Sequence, residues 1–188
     1  MNLAVVDLEC TSLKSDQGFL LCGGIKPLGR KGEVYGLLNV GLGPSRYNLD
    51  ARLVRQLILR MNEFDGWVTW NGLMFDLPWL DDRAVICGLD PPAKRFARGL
   101  DMMWHFRQGK STFTSSRLDW VAKSLKCPIE KTSLNMNTWK DAEAEAIRRF
   151  RDGHMAYDYI VDHCAADLGV TEFVYEKGKG RIQNVGRR

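Results

Sequence analysis

The chain opens on a short apolar run, Leu3–Leu8 (LAVVDL), whose valines and length predict a buried strand. Two more strand segments follow, Phe19–Ile25 (FLLCGGI) and Glu33–Val40 (EVYGLLNV). The Gly-Arg-Lys-Gly stretch between them suits a hairpin loop, so the start of the chain reads as a β-meander. Next comes a 3.6-residue apolar stripe, Leu53, Val54, Leu57, Ile58 and Met61, with Asn48 or Asp50 placed to cap the helix it predicts. Gly66–Trp70 is a further strand. Asn71-Gly72 then turns the chain into a helix near residues 75–88, with Pro78 tolerated in the first turn. Ala97–Met102 reads as a short strand, and 117–126, 137–151 and 155–176 as helices. The segment 137–151 is mostly polar and is expected on the surface. Strands that cross to helices after an antiparallel opening predict an α/β domain, helices flanking a mixed central sheet in three layers.

Composition narrows this picture. A chain of 188 residues, 45% hydrophobic, can bury its own core. Residues 1–175 read as one domain and 176–188 as a basic, Gly-rich tail without fixed structure. The tail holds five Lys and Arg against Glu176 and so carries the whole net charge of +4, leaving a neutral body. No apolar run reaches the ~20 residues needed to span a bilayer. The N-terminus does not read as a signal peptide, so a soluble, cytoplasmic protein is expected. The five cysteines are odd in number, widely spaced and without a CxxC pair, which fits reduced thiols rather than a disulfide framework or zinc site. No GxGxxG follows the first strand, which disfavours a dinucleotide-binding enzyme.

Three sets of polar residues are candidates to carry chemistry. Asp7 and Glu9 lie two apart in the first strand, so their side chains leave the same face. Two like charges there are costly unless a cation sits between them, and a hard divalent ion takes oxygen ligands. The other reading is a strand end where both acids reach solvent. Asp76 lies within Leu-Met-Phe-Asp-Leu-Pro-Trp-Leu and is either a ligand or a first-turn acid stabilised by the helix dipole. His163 and Asp167 are four apart on a predicted helix and share one face, either as site residues or as a surface pair. Tyr159, one turn earlier, reads as a packing residue, and Asp101 as a structural helix cap or a support for the site.

In this order, a strand Asp-x-Glu, then Asn-Gly-x-x-Phe-Asp, then His-x-x-x-Asp on a late helix, the chain resembles the DEDD (DnaQ-like) superfamily of 3′–5′ exonucleases, which have a ribonuclease H-like fold. The resemblance spans residues 3 to about 175. It implies that Asp7, Glu9, Asp76 and Asp167 hold two divalent ions, Mg²⁺ or Mn²⁺, and that His163 orients or deprotonates the attacking water. It further implies that Thr11, Ser12 and Leu13 meet the terminal nucleotide, and that Asn71 and Phe75 touch its sugar or base. Two departures stand out. Cys10 occupies a position where most relatives have Thr. The family also places either Tyr with three residues before the last Asp or His with four, whereas this chain combines His163 with the Tyr spacing.

The function implied is metal-dependent hydrolysis of phosphodiester bonds from the 3′ end of single-stranded or frayed DNA. An exoribonuclease, a structure-selective nuclease and a non-catalytic nucleic-acid-binding module are the alternatives on the same fold. The partner expected is a nucleic-acid 3′ end, DNA or RNA, without a membrane. Any role beside a polymerase or another replication or repair protein would be in trans. Trp70 and Trp104 are candidates to border the cleft, and Lys110, Arg117 and the tail are candidate phosphate contacts.

Overall fold

A computed structural model of the chain describes residues 1–45, 47–92, 100–107, 111–130, 135–148 and 155–183. The expected central strand, β1 (Leu3–Cys10), lies in the middle of a five-stranded sheet. It pairs antiparallel with β2 (Leu20–Pro27), which pairs antiparallel with β3 (Glu33–Gly36). On its other side β1 pairs parallel with β4 (Gly66–Thr69), and β4 parallel with β5 (Leu100–Asp101). The order β3-β2-β1-β4-β5 is the mixed sheet of a ribonuclease H-like α/β fold. Seven helices are seen among the described residues: α1 (Leu37–Val40), α2 (Ala51–Met61), α3 (Asp76–Ile86), α4 (Met102–Arg107), α5 (Leu118–Ser124), α6 (Met136–Arg148) and α7 (Met155–Gln183). None is long and apolar enough to cross a membrane.

Two adjacent glycines on β2 set the layer spacing. A Cβ on Gly23 would lie 2.4 Å from Leu57 of α2, and one on Gly24 would lie 2.5 Å from Leu168 of α7. Successive residues of a strand face opposite ways, so α2 and α7 cover opposite faces of the sheet. The α2 stripe buries Leu53, Val54, Leu57, Ile58 and Met61, as its periodicity predicts. The α7 face buries Leu3, Val5, Leu168 and Val174 with Met102 and Phe106 of α4. At roughly 25 cal/mol per Å² of apolar surface, burial of this kind is the main force holding the layers together.

Several expectations shift. The segment 33–40 is strand only to Gly36. A Cβ there would lie 2.6 Å from the Tyr157 hydroxyl. That hydroxyl accepts from the Leu38 amide and donates to the Leu21 carbonyl, which ends the ladder and turns Leu37–Val40 into a helical turn. Of 97–102, Leu100–Asp101 is strand and Met102 begins the unforeseen α4, while 93–99 lie outside the described residues. The polar helix 136–148 does bury one face, with Ala142 and Ala146 fully enclosed. The 176–188 tail is not structureless throughout: α7 continues to Gln183. There Gly178 lets the helix lie against Met102 and Phe106, Lys179 pairs with Glu176, and Lys177 Nζ lies 5.5 Å from the centroid of the Phe173 ring.

Candidate active site

The ladder register places Asp7 opposite Gly24 and Glu9 opposite Cys22, so both acids face α7. The register shifts only after Glu9, which keeps the pair on one face. Asp7 is half-buried and Glu9 buried. Asp76 opens α3, and its Oδ1 accepts from the Leu8 amide at 3.0 Å, which ties the helix start to β1 between the two strand acids. Asp76 is thus both a first-turn acid and a neighbour of the pair. From α7, His163 Nε2 stands 3.9 Å from Glu9 Oε1 and 3.7 Å from Asp167 Oδ2, and both α7 residues are buried. The surface-pair reading of His163 and Asp167 is therefore not what the fold shows. Tyr159, a turn away, is 38% exposed rather than packed in the core.

Burial of like charges perturbs the acids in the direction physics requires. Burial first, and then the charges of Asp7, Cys22, Asp167 and Asp76, pushes the Glu9 carboxyl well above its usual range. Asp76 is pushed up to about 7, mainly by burial, with Asp101 and Asp167 adding to it and the Leu8 amide opposing. Cys10 is pushed up to about 12 by burial and by Asp76 and Glu9, so it stays a neutral thiol. Asp7, Glu9, Asp76 and Asp167 thus act on one another through their charges, and carboxylate oxygens are the donors that a hard divalent cation takes. Among the described residues, no group of three or more His, Cys, Asp or Glu side chains is arranged to hold a metal ion, and His163 lies beside Glu9 and Asp167.

The loop after β1 borders a groove of about 500 Å³, lined by Leu13 and Lys14 on one side and Phe75, Pro78 and Trp79 of the facing segment on the other. Leu13 is 79% exposed. Thr11 and Ser12 turn their hydroxyls to the loop itself: Thr11 Oγ1 accepts from the Phe19 amide and Ser12 Oγ from the Lys14 amide. Asn71 takes a left-handed backbone, φ 66°, at the Asn-Gly turn, and its amide donates to Asp101 Oδ1. Asp101 also accepts from Leu73 and Met103, so it fixes the turn and caps α4. Trp70 stacks obliquely on Phe106, Trp104 is exposed, and Arg117 pairs with Asp119. Lys110 lies outside the described residues.

Sequence patterning gave no sign of a second charged cluster. Asp50, a cap candidate, makes no side-chain cap bond to α2. It is fully buried, accepts from the Leu20 amide at 2.7 Å and forms a buried ion pair with Arg83 Nη2 at 2.8 Å. The partners lie 33 positions apart, and Arg83 follows Asp81 and Asp82 in α3, so nothing local marks it as the partner of a buried acid.

No protein-family model matches the chain, and no curated protein matches it in sequence. Among solved structures, 131 chains match in shape. One is a family B DNA polymerase from the hyperthermophilic archaeon Pyrobaculum calidifontis, with a TM-score of 0.60 and 16% identity. The match covers 93% of this chain and 24% of the polymerase, so the chain spans about a quarter of the length of the protein it resembles. At this identity the likeness is one of fold, and function has to be argued from the site.

Proposed function

We propose that the chain is a divalent-metal-dependent 3′–5′ exonuclease acting on single-stranded or frayed DNA. The observation that carries this reading is the meeting of acids from a central strand, a helix start and a late helix, with a histidine beside them. Asp7, Glu9, Asp76 and Asp167 would hold two Mg²⁺ or Mn²⁺ ions. Bound there, such ions supply a water of lowered pKa and stabilise charge on the scissile phosphate. The raised affinity of Glu9 and Asp76 for protons is the same demand for positive charge that a cation meets. His163, whose Nε2 lies beside Glu9 and Asp167, would take a proton from the attacking water. Leu13 and Phe75 would flank the terminal base, an apolar and aromatic contact that tolerates any sequence. The likeness in shape to part of a DNA polymerase supports a nucleic-acid substrate and leaves room for a role in trans beside a replication or repair protein.

One observation favours a second reading, a nucleic-acid-binding module without catalysis: among the described residues the acids are not arranged as a group that could hold a metal ion. A single experiment separates the two. A 5′-labelled single-stranded DNA, with an RNA of the same sequence beside it, is incubated with Mn²⁺ or Mg²⁺. A ladder shortening from the 3′ end is expected, absent in EDTA and in Asp7→Asn. Degradation that persists in EDTA, or intact strands with either ion, would count against the nuclease.

A further inference from the structure

The helix that carries Asp76 also grips the loop leaving β1. Asp76 Oδ1 holds the Leu8 amide; about one turn on, Trp79 Nε1 donates to the Ser12 carbonyl at 3.1 Å, and a further turn on, Arg83 Nη1 donates to the Ser15 carbonyl at 3.1 Å. Arg83 spends its remaining donors on Asp50 and on the Tyr47 carbonyl, and Asp50 in turn accepts from the Leu20 amide just beyond the loop. Trp79 and Arg83 are each only 4% exposed, so water competes poorly for these bonds. Bonds from a guanidinium are also stronger than neutral ones. The loop's own side of the groove, Leu13 and Lys14, has no secondary structure to fix it.

We propose that Trp79 and Arg83 are positioning residues that hold residues 12–15 as the preformed wall of the groove where the terminal nucleotide lies. The inference rests on the nuclease reading above. An ordered wall removes an ordering cost from binding, whereas Asp7, Glu9 and Asp167 are held by β1 and α7, and Asp76 keeps its own bond to the Leu8 amide. The consequence of loosening it is therefore weaker substrate binding at nearly unchanged chemistry.

Limited trypsin digestion after the exposed Lys14 reads the loop without reference to activity, and steady-state kinetics on a 5′-labelled single-stranded DNA reads its use. Arg83→Lys keeps a charge beside Asp50 but cannot span both carbonyls. Trp79→Phe removes the indole donor while keeping an aromatic ring at the position, and carries the test if the arginine variant fails to fold. The expected result for Trp79→Phe is cutting at Lys14 and KM both raised about 10-fold, the size of one lost hydrogen bond, with kcat within about twofold. An unchanged cutting rate means the loop is not held this way and overturns the proposal. Faster cutting with unchanged KM overturns the use of the wall, and so does a fall in kcat at constant KM, which marks a purely structural role. A wild-type chain that protects Lys14 yet neither binds nor shortens the DNA defeats the nuclease reading instead, and the proposed use of the wall with it.

Discussion

Gly24 is where the sheet lets α7 approach, and α7 carries His163 and Asp167. In Gly24→Ala the new methyl would sit 2.5 Å from Leu168 Cδ1 and 2.9 Å from Cys164 Sγ. That is about 1 Å short of ordinary carbon contact, so the helix or the strand has to yield. Overpacking of this kind costs about 1–3 kcal/mol, offset by about 0.4–1 kcal/mol from the stiffer unfolded chain. A net loss of about 1–2 kcal/mol lowers Tm by roughly 2–8 °C for a chain of this size. Gly23→Ala is the matched control, because its methyl would meet Leu57 of α2 at 2.4 Å on the opposite face. Thermal denaturation should show similar losses for the two variants. Nuclease rates should not: a displacement near 1 Å at reacting groups costs about 100-fold, so Gly24→Ala should lose far more activity than Gly23→Ala. Adding Leu168→Ala to Gly24→Ala relieves the closer contact and should return part of the rate. Equal activity in the two glycine variants, at equal Tm, would refute the claim that this approach sets the site.

Three further outcomes follow from the same geometry. Asp76 is held protonated up to about 7, so its contribution to stability is complete below pH ~4 and is lost as pH rises through about 7. Metal-free protein should therefore melt lower at pH 8 than at pH 5.5, and Asp76→Asn, which keeps the Leu8 bond, should recover up to about 4 kcal/mol at pH 8 while abolishing activity; a lower Tm for Asp76→Asn at pH 8 would contradict this. Arg83→Met leaves Asp50 buried as a lone charge and should cost about 3–5 kcal/mol in urea denaturation, with Asp50→Asn added to it restoring more than half; a double variant less stable than the single one would show that the charge is not the cause. His163→Ala should slow turnover at least ~100-fold while leaving Tm within a few degrees, and an unchanged rate would place the water-activating group elsewhere.

The local pattern of the sequence determined the parts. A period of two puts Asp7 and Glu9 on one face of β1, and a spacing of four puts His163 and Asp167 on one face of α7, because backbone geometry alone fixes those directions. The apolar stripe of α2 and the Asn-Gly turn before Asp76 were legible for the same reason. Only the tertiary structure decided how the parts meet. That α7 crosses the sheet at Gly24, so that His163 reaches Glu9, depends on packing between residues far apart in the chain. Asp50 and Arg83 pair across the fold, and Tyr157 ends β3 from α7, with no trace in the pattern near either position. The tail shows the same division. Its glycines argue against a helix when read locally, yet Gly178 has no side chain to keep α7 from Met102, and the helix continues to Gln183. Propensity is a small term per residue, and burial against a neighbouring element outweighs it.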